Sequence, residues 1–209
     1  HKDLRKLRRK LTFRGVSDIV LDLERKLYRS FTDPEKKSID GDEFLKELLR
    51  IKNLLVDKYQ SLYLTELKDL IHKVKLFGFH FATLDIRQDS RIHHQVFEQI
   101  VRGMSKKGSG ILPDDYSSLD EKNKVKVLGS ITAQAAPDEF RDKMVKKTLG
   151  SMRAIGIIQE NNGEKGANRY IISNNQSAVN VMEVYSMLKM TAFPNDLPVD
   201  IVPLFETVD

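Results

Sequence analysis

Two residues of opposite charge, Asp85 and Arg87, stand two positions apart at the downstream end of the apolar run Phe77-Gly78-Phe79-His80-Phe81-Ala82-Thr83-Leu84, with Gln88 just beyond. Read as an extended strand, this segment sends Ala82, Leu84 and Ile86 to one face and Thr83, Asp85 and Arg87 to the other. Ser173 and Asn174 follow a second run, Arg169-Tyr170-Ile171-Ile172, and Glu206, Thr207 and Asp209 follow a third, Val199-Asp200-Ile201-Val202-Pro203-Leu204-Phe205. In βα barrels the reactive groups sit where strands end and loops begin. An arginine there presents a rigid fork of donors matched to carboxylate or phosphate oxygens. A carboxylate there suits a hard divalent cation such as Mg²⁺, which takes one or two carboxylates plus substrate oxygens. Together these groups point to an anionic, phosphate-bearing ligand bridged to a metal. Plainer roles stand beside that one. Asp85 and Arg87 can neutralise each other, Glu206 can sit at a helix N-terminus beside Thr207, and Ser173 and Asn174 can cap a helix.

The histidines suggest less chemistry. His93 and His94 are adjacent on an expected helix, where neighbouring positions diverge by about 100° and cannot share a ligand. His80 lies inside the first apolar run and is expected to be a hydrogen-bonded core residue, and His72 sits on an amphipathic helix. No HxxxH or HExxH spacing occurs, so a histidine-metal site is not expected. The loop Lys106-Lys107-Gly108-Ser109-Gly110 lacks both phosphate-cradling glycine patterns.

The elements that must position these groups can be read from periodicity. Val16, Ile19, Val20, Leu23 and Leu27 recur at helical spacing, and Thr32-Asp33-Pro34 breaks the pattern. Asp40 and Glu43 have capping-box spacing ahead of Phe44, Leu45, Leu48, Leu49 and Leu55, and a further helix carries Leu67, Leu70, Ile71 and Val74. After the run at 77–87 come a helix from Ser90 to Met104, one opened by Ser118 and Glu121, one from Pro137 to Gln159 and, past a turn at 161–166, the strand at Arg169. A helix capped by Asn174, Asn175 or Ser177 leads to the last strand. Strand, helices, strand, helix, strand is the grammar of a parallel sheet or barrel. The expected class is α/β and predominantly helical, with a helical lead-in over residues 1–76 and a partial parallel β/α barrel over 77–209. Three strands cannot close a barrel.

Composition narrows the alternatives. The 209 residues correspond to about 1.4 average domains. With 40% hydrophobic and 31% charged residues, the chain is neither disordered nor collagen-like. The net charge of +5 comes from interspersed charges of both signs, so no nucleic-acid footprint is expected. The basic start, Lys2 to Lys10, has leucines at packing intervals and is expected to be a solvated helix face. No window is apolar enough to span a membrane, and His1–Arg5 has no signal-peptide core. The absence of cysteine excludes disulfides, Cys-ligated zinc and a cysteine nucleophile, and fits a reducing compartment. The opening histidine and the apolar close at Leu204-Phe205 suggest an internal stretch of a longer polypeptide.

Three ordered motifs bring in a resemblance. Leu76 to Ser90, with its Phe77-Gly78 and Leu84-Asp85-Ile86-Arg87-Gln88-Asp89-Ser90 and the trailing His93, closely resembles the phosphoenolpyruvate carboxylase pattern of FG, L-D-[IV]-R-Q-[ED]-S and histidine. Tyr170-Ile171-Ile172-Ser173, with Ser177 and Val181 beyond, is similar to that family's Y-[IV]-I-S segment, and Val202-Pro203-Leu204-Phe205-Glu206-Thr207 to its [VA]-P-L-F-E-T motif. The similarity spans the chain and is tightest at Phe77–Ser90 and Ile201–Thr207.

The resemblance implies a cytoplasmic, Mg²⁺- or Mn²⁺-dependent lyase that joins phosphoenolpyruvate to bicarbonate, giving oxaloacetate and phosphate to replenish the tricarboxylic acid cycle. Bicarbonate attacks the phosphoryl group to give carboxyphosphate and an enolate, which then takes up CO₂. By motif, Arg87 takes the active-site arginine role near the substrate phosphate, Gln88 lies beside it in substrate binding, and Glu206 is the metal-binding glutamate. The resemblance also implies a homotetrameric parent. The family's GRGGS-type loop, its early catalytic-histidine motif and a second metal-binding aspartate are absent from this chain, so the chain alone is expected to be inactive. Another phosphoenolpyruvate/pyruvate-type barrel enzyme, or a helical interaction module without catalysis, are the alternatives.

Overall fold

A computed structural model describes residues 1–33, 38–106 and 108–206. Pro34, Lys107, Thr207 and Asp209, each named above, lie outside the described residues. The chain divides into two compact units, His1–Ala82 and Thr83–Asp209.

The first unit is helical: α1 (Lys2–Lys10), α2 (Ser17–Thr32), α3 (Gly41–Lys58) and α4 (Leu64–Phe77). Its core takes Leu4, Leu7 and Leu11 from the first helix and the linker after it, and the expected apolar stripes from the other three, including Val20, Leu48, Leu55 and Leu67. Asp40 caps α3, accepting from the Glu43 N–H at 2.7 Å. The reciprocal half of the capping box gives way to an ion pair, because Glu43 accepts from Lys26 Nζ at 3.2 Å. The basic face of α1 is partnered, not merely solvated. Arg8 reaches Glu24 at 2.7 Å, Lys10 reaches Glu66 at 2.7 Å, and Asp3 takes Lys73 at 2.8 Å.

The second unit contains β1 (Asp85–Asp89), α5 (Ser90–Lys106), α6 (Glu121–Gly129), α7 (Lys143–Asn162), β2 (Arg169–Ser173), α8 (Ala178–Thr191) and β3 (Asp200–Pro203). The strands are parallel in the order β1-β2-β3, with Arg87 level with Ile171 and Ile171 level with Val202. Among the described residues this is an open three-stranded sheet in a mostly helical α/β unit. One face is buried: Tyr170 and Ile172 pack into a core with Val96, Ile100, Leu149 and Val184 from the helices. Gln159, on α7, donates from Nε2 to the carbonyls of Ala167 and Pro198, both at 2.8 Å, holding the chain just before β2 and just before β3.

Three expectations change. The first strand starts at Asp85, not Phe77. α4 runs on to Phe77, Gly78 ends it at φ 51°, and of the aromatic residues that follow Phe79 packs against the helical core while Phe81 stays exposed. Phe79 lies against Phe44 at 5.7 Å between ring centroids, and Phe77 stacks on Phe81 at 5.8 Å. A run apolar at nearly every position carries no period, so it could not separate a strand from the end of a helix. His80 accordingly sits half-buried in this turn rather than inside a strand. Second, α6 is capped by Asp120, which accepts from the Asn123 N–H at 2.8 Å, while Ser118 belongs to a preceding 3-10 turn. Third, Pro137–Glu139 is a separate 3-10 turn, and Asp142 caps α7 through the amides of Met144 and Val145 at 2.7 and 3.0 Å.

Leu149 is fully buried at the centre of the second core. Leu149→Ala is expected to cost about 3 kcal/mol of unfolding free energy through cavity formation, and Asp142→Ala about 1 kcal/mol through loss of the cap. Urea-unfolding midpoints at unchanged slope check both values and their order.

Candidate active site

Strand alternation decides which side chains of β1 reach the open face of the sheet. Ile86 and Gln88 turn toward the helices; Asp85 and Arg87 turn away and are exposed. On the open face Asp85 does not neutralise Arg87. It faces Arg169, level with it on β2, at 3.8 Å. Arg87 instead donates from Nη2 to Glu206 Oε1 at 2.8 Å, joining two residues 119 positions apart. The other carboxylate oxygen, Oε2, accepts from the backbone N–H of Asn174 at 3.3 Å. Arg87 thus meets the backbone just past β2 and a side chain just past β3, although it stands in the middle of β1 and Asp85 opens that strand, rather than both lying at its downstream end as expected. Parallel strands in register place their C-terminal ends on the same edge, which is why groups so far apart in sequence converge.

Gln88, expected beside the substrate, belongs to the other face. Its Nε2 donates to Thr148 Oγ1 at 3.1 Å, and its Oε1 accepts from the Tyr170 hydroxyl at 3.2 Å. Since that hydroxyl proton is committed to Gln88, the 3.0 Å contact between His93 Nε2 and Tyr170 Oη has the histidine as donor. His93 Nδ1 is buried without a partner. This internal chain links β1, β2, α5 and α7; Gln88, His93 and Tyr170 each stand in the quoted motifs, but nothing in the sequence shows that they join. Burial holds His93 well below the ordinary histidine range, at about 4, and pushes the Tyr170 hydroxyl up.

The adjacent His94 is held differently. Its Nδ1 lies 2.7 Å from Oε1 of Glu183, a carboxylate on α8 that is almost fully buried and raised by that burial. Asp89, at the end of β1, accepts two bonds from the Arg91 guanidinium, at 3.0 and 2.7 Å, and one from the Arg91 amide, which hold its carboxyl down at about 2. Ser173 ends β2 and Asn174 turns the chain at its end, so neither caps α8. That helix starts after Ser177, with the Ala178 N–H given to Glu121 Oε1 at 2.9 Å.

For a divalent ion, Glu206 is the right kind of donor: a hard carboxylate at a strand end, half-exposed on the open face. Among the described residues no group of three or more His, Cys, Asp or Glu is placed to hold a metal ion. Glu206 has the donor chemistry for such an ion but does not by itself make a site.

The fold is a parallel α/β unit in which an arginine of β1 and a glutamate beyond β3 meet on the open face. The family model for phosphoenolpyruvate carboxylase matches residues 4–209, and the chain belongs to that family. It is similar to the phosphoenolpyruvate carboxylase of Paraburkholderia xenovorans (strain LB400), 28% identical over 189 residues covering 83% of this chain and 18% of that protein. The enzyme of that name from Thermosynechococcus vestitus (strain NIES-2133 / IAM M-273 / BP-1) is 33% identical over 178 residues, 81% of this chain and 17% of that protein. The chain spans less than a fifth of the length of these curated relatives.

The buried His93 sets a pH dependence whose sign is fixed. Its folded pKa, about 4, lies below the ordinary value of 6.5, so the unfolded chain takes up the proton first as pH falls. Its contribution is present above pH 6.5 and lost progressively toward pH 4, amounting to about 3 kcal/mol at 1.36 kcal/mol per unit. The raised carboxyl of Glu183 acts in the opposite sense. Urea unfolding of the wild type and of His93→Gln across this range isolates the histidine: the difference between the two curves is expected to shrink as pH falls from 7 to 4.

Proposed function

We propose that this chain forms part of the active site of an enzyme that carboxylates phosphoenolpyruvate with bicarbonate, giving oxaloacetate and phosphate and so replenishing the tricarboxylic acid cycle. The observation that carries the reading is the meeting of Arg87 and Glu206 at 2.8 Å on the open rim of the parallel sheet. Arg87 supplies a guanidinium for the substrate phosphate, where a charge-assisted bond acts on the charge that develops during phosphoryl transfer. Glu206 contributes one oxygen to a Mg²⁺ or Mn²⁺ site. A bound divalent ion there supplies Lewis-acid stabilisation of negative charge on oxygen.

The open sheet is consistent with a larger β/α barrel of the phosphoenolpyruvate/pyruvate type, closed by strands outside the described residues, with the open face turned to its interior. The proposed setting is a cytoplasmic, homotetrameric lyase. No helix among the described residues is long and apolar enough to cross a membrane. The purified 209-residue chain is not expected to turn over, because one arginine and one carboxylate do not surround both substrates.

In the intact enzyme, Arg87→Ala and Glu206→Ala are each expected to lower kcat/KM by about 100-fold or more, the scale for losing one group that stabilises transition-state charge, with assembly size unchanged on gel filtration. Oxaloacetate formation, coupled to NADH oxidation, measures this; near-normal kinetics for either variant removes that residue from the site. Steady oxaloacetate production by the isolated chain would overturn its expected inactivity.

A further inference from the structure

The Glu206 carboxylate is fixed by two donors from two different strands. Arg87, on β1, takes Oε1, and the Asn174 N–H, just past β2, takes Oε2. That N–H is aimed by an unusual backbone, because Asn174 lies in the left-handed region at φ 52°. Non-glycine residues rarely adopt this region, asparagine being one of the more tolerant, and for β-branched residues it is a true outlier. Something must hold the turn, and the contact is present: the Ser90 hydroxyl donates to the Asn174 carbonyl at 2.5 Å. Ser90 is the first residue of α5, directly after β1, and is 3% exposed, so its hydroxyl has little water to turn to. The Asn174 side chain enters none of these bonds; the backbone conformation does.

We propose that Ser90 and Asn174 are positioning residues for Glu206: Ser90 locks the left-handed peptide at the end of β2, and that peptide's N–H sets the plane in which the carboxylate is presented. In its metal-binding consequence this rests on the reading of Glu206 as a metal ligand; the hydrogen-bond chain itself does not. Arg87 alone leaves the carboxylate able to rotate about a single bond, whereas two donors on opposite oxygens do not.

The test uses Ser90→Ala, Asn174→Gly, Asn174→Val and Glu206→Ala in the intact enzyme, with two readouts: Mn²⁺ affinity from the loss of the free-ion paramagnetic resonance signal, and hydrogen exchange at the residue 174 amide. Groups that orient a metal ligand are worth about 10- to 100-fold in metal affinity. Ser90→Ala and Asn174→Val are therefore expected to weaken Mn²⁺ binding about tenfold or more, while Asn174→Gly, free to adopt the left-handed turn, stays close to wild type. Exchange at residue 174 is expected to speed up in Ser90→Ala and in Glu206→Ala. If Glu206→Ala abolishes Mn²⁺ binding while Ser90→Ala binds like wild type, or if the glycine and valine variants behave alike, the positioning role is overturned. If Glu206→Ala leaves Mn²⁺ affinity intact, the metal reading of Glu206 has failed, and the exchange data then decide: acceleration in Ser90→Ala and Glu206→Ala upholds the chain from Ser90 to Glu206, and unchanged rates overturn it.

Discussion

The parallel register of β1, β2 and β3 is the constraint on which everything at the rim depends. It lines up Asp85 with Arg169, Arg87 with Ile171, and Ile171 with Val202, and so carries the ends of three segments widely separated in sequence to one edge. The helices α5 to α8 maintain that register from one side only, through the core around Tyr170, Ile172 and Leu149. A single-residue slip of β1 would exchange its faces, putting Arg87 into the core and Gln88 on the open side. The buried hydrogen bonds of Gln88 with Thr148 and Tyr170 make such a slip costly, since each would leave a polar group unpaired in the interior. Pairing on the inner face and function on the outer face are thus set by the same alternation.

That alternation also explains what was legible in the sequence. Helical stripes such as Val16-Val20-Leu23 and the second strand, Arg169–Ser173, appear as their patterns indicate, because amphipathic periods of 3.6 or 2 have one solution each. The stretch from Phe77 to Leu84 has no period. Its fate is settled by the Phe79 ring, which finds its partner in Phe44 on α3, and that is tertiary information. Where several cap candidates lie side by side, as Ser118 and Asp120 do, the pattern alone does not choose between them, and Asp120 is the one that caps α6. Arg87 and Glu206 were identifiable by residue type and motif, and Glu206 also by its place after a strand, whereas Arg87 stands in the middle of β1. The inward turn of Gln88 follows from the same alternation that sends Ile86 to the apolar face; its expected place beside the substrate came from the motif, which carries no facing. Asn174 was visible only as a possible cap: a left-handed backbone leaves little trace beyond the choice of asparagine.

The polar interior deserves the same weight as the rim. His93, Tyr170, Gln88 and Thr148 form a continuous chain through a mostly apolar core. Such a chain specifies one arrangement of strands and helices in a way that Leu-on-Val packing does not. It also separates two neighbouring histidines into unlike environments: His93 is sealed from water, and His94 is held at the surface by a carboxylate that is itself buried. Adjacent positions on one helix thus serve the interior and the exterior.

The pairing of Arg87 with Glu206 is wet: the side chains are 58% and 43% exposed. Contacts of this kind are weak, typically worth no more than about 1 kcal/mol, and are dulled further by dissolved ions within a Debye length of about 8 Å. The two groups consequently hold each other in place without holding each other captive. A newcomer carrying its own charge can separate them at small cost, and when it departs they close again, so the unliganded rim keeps its shape while remaining open to exchange.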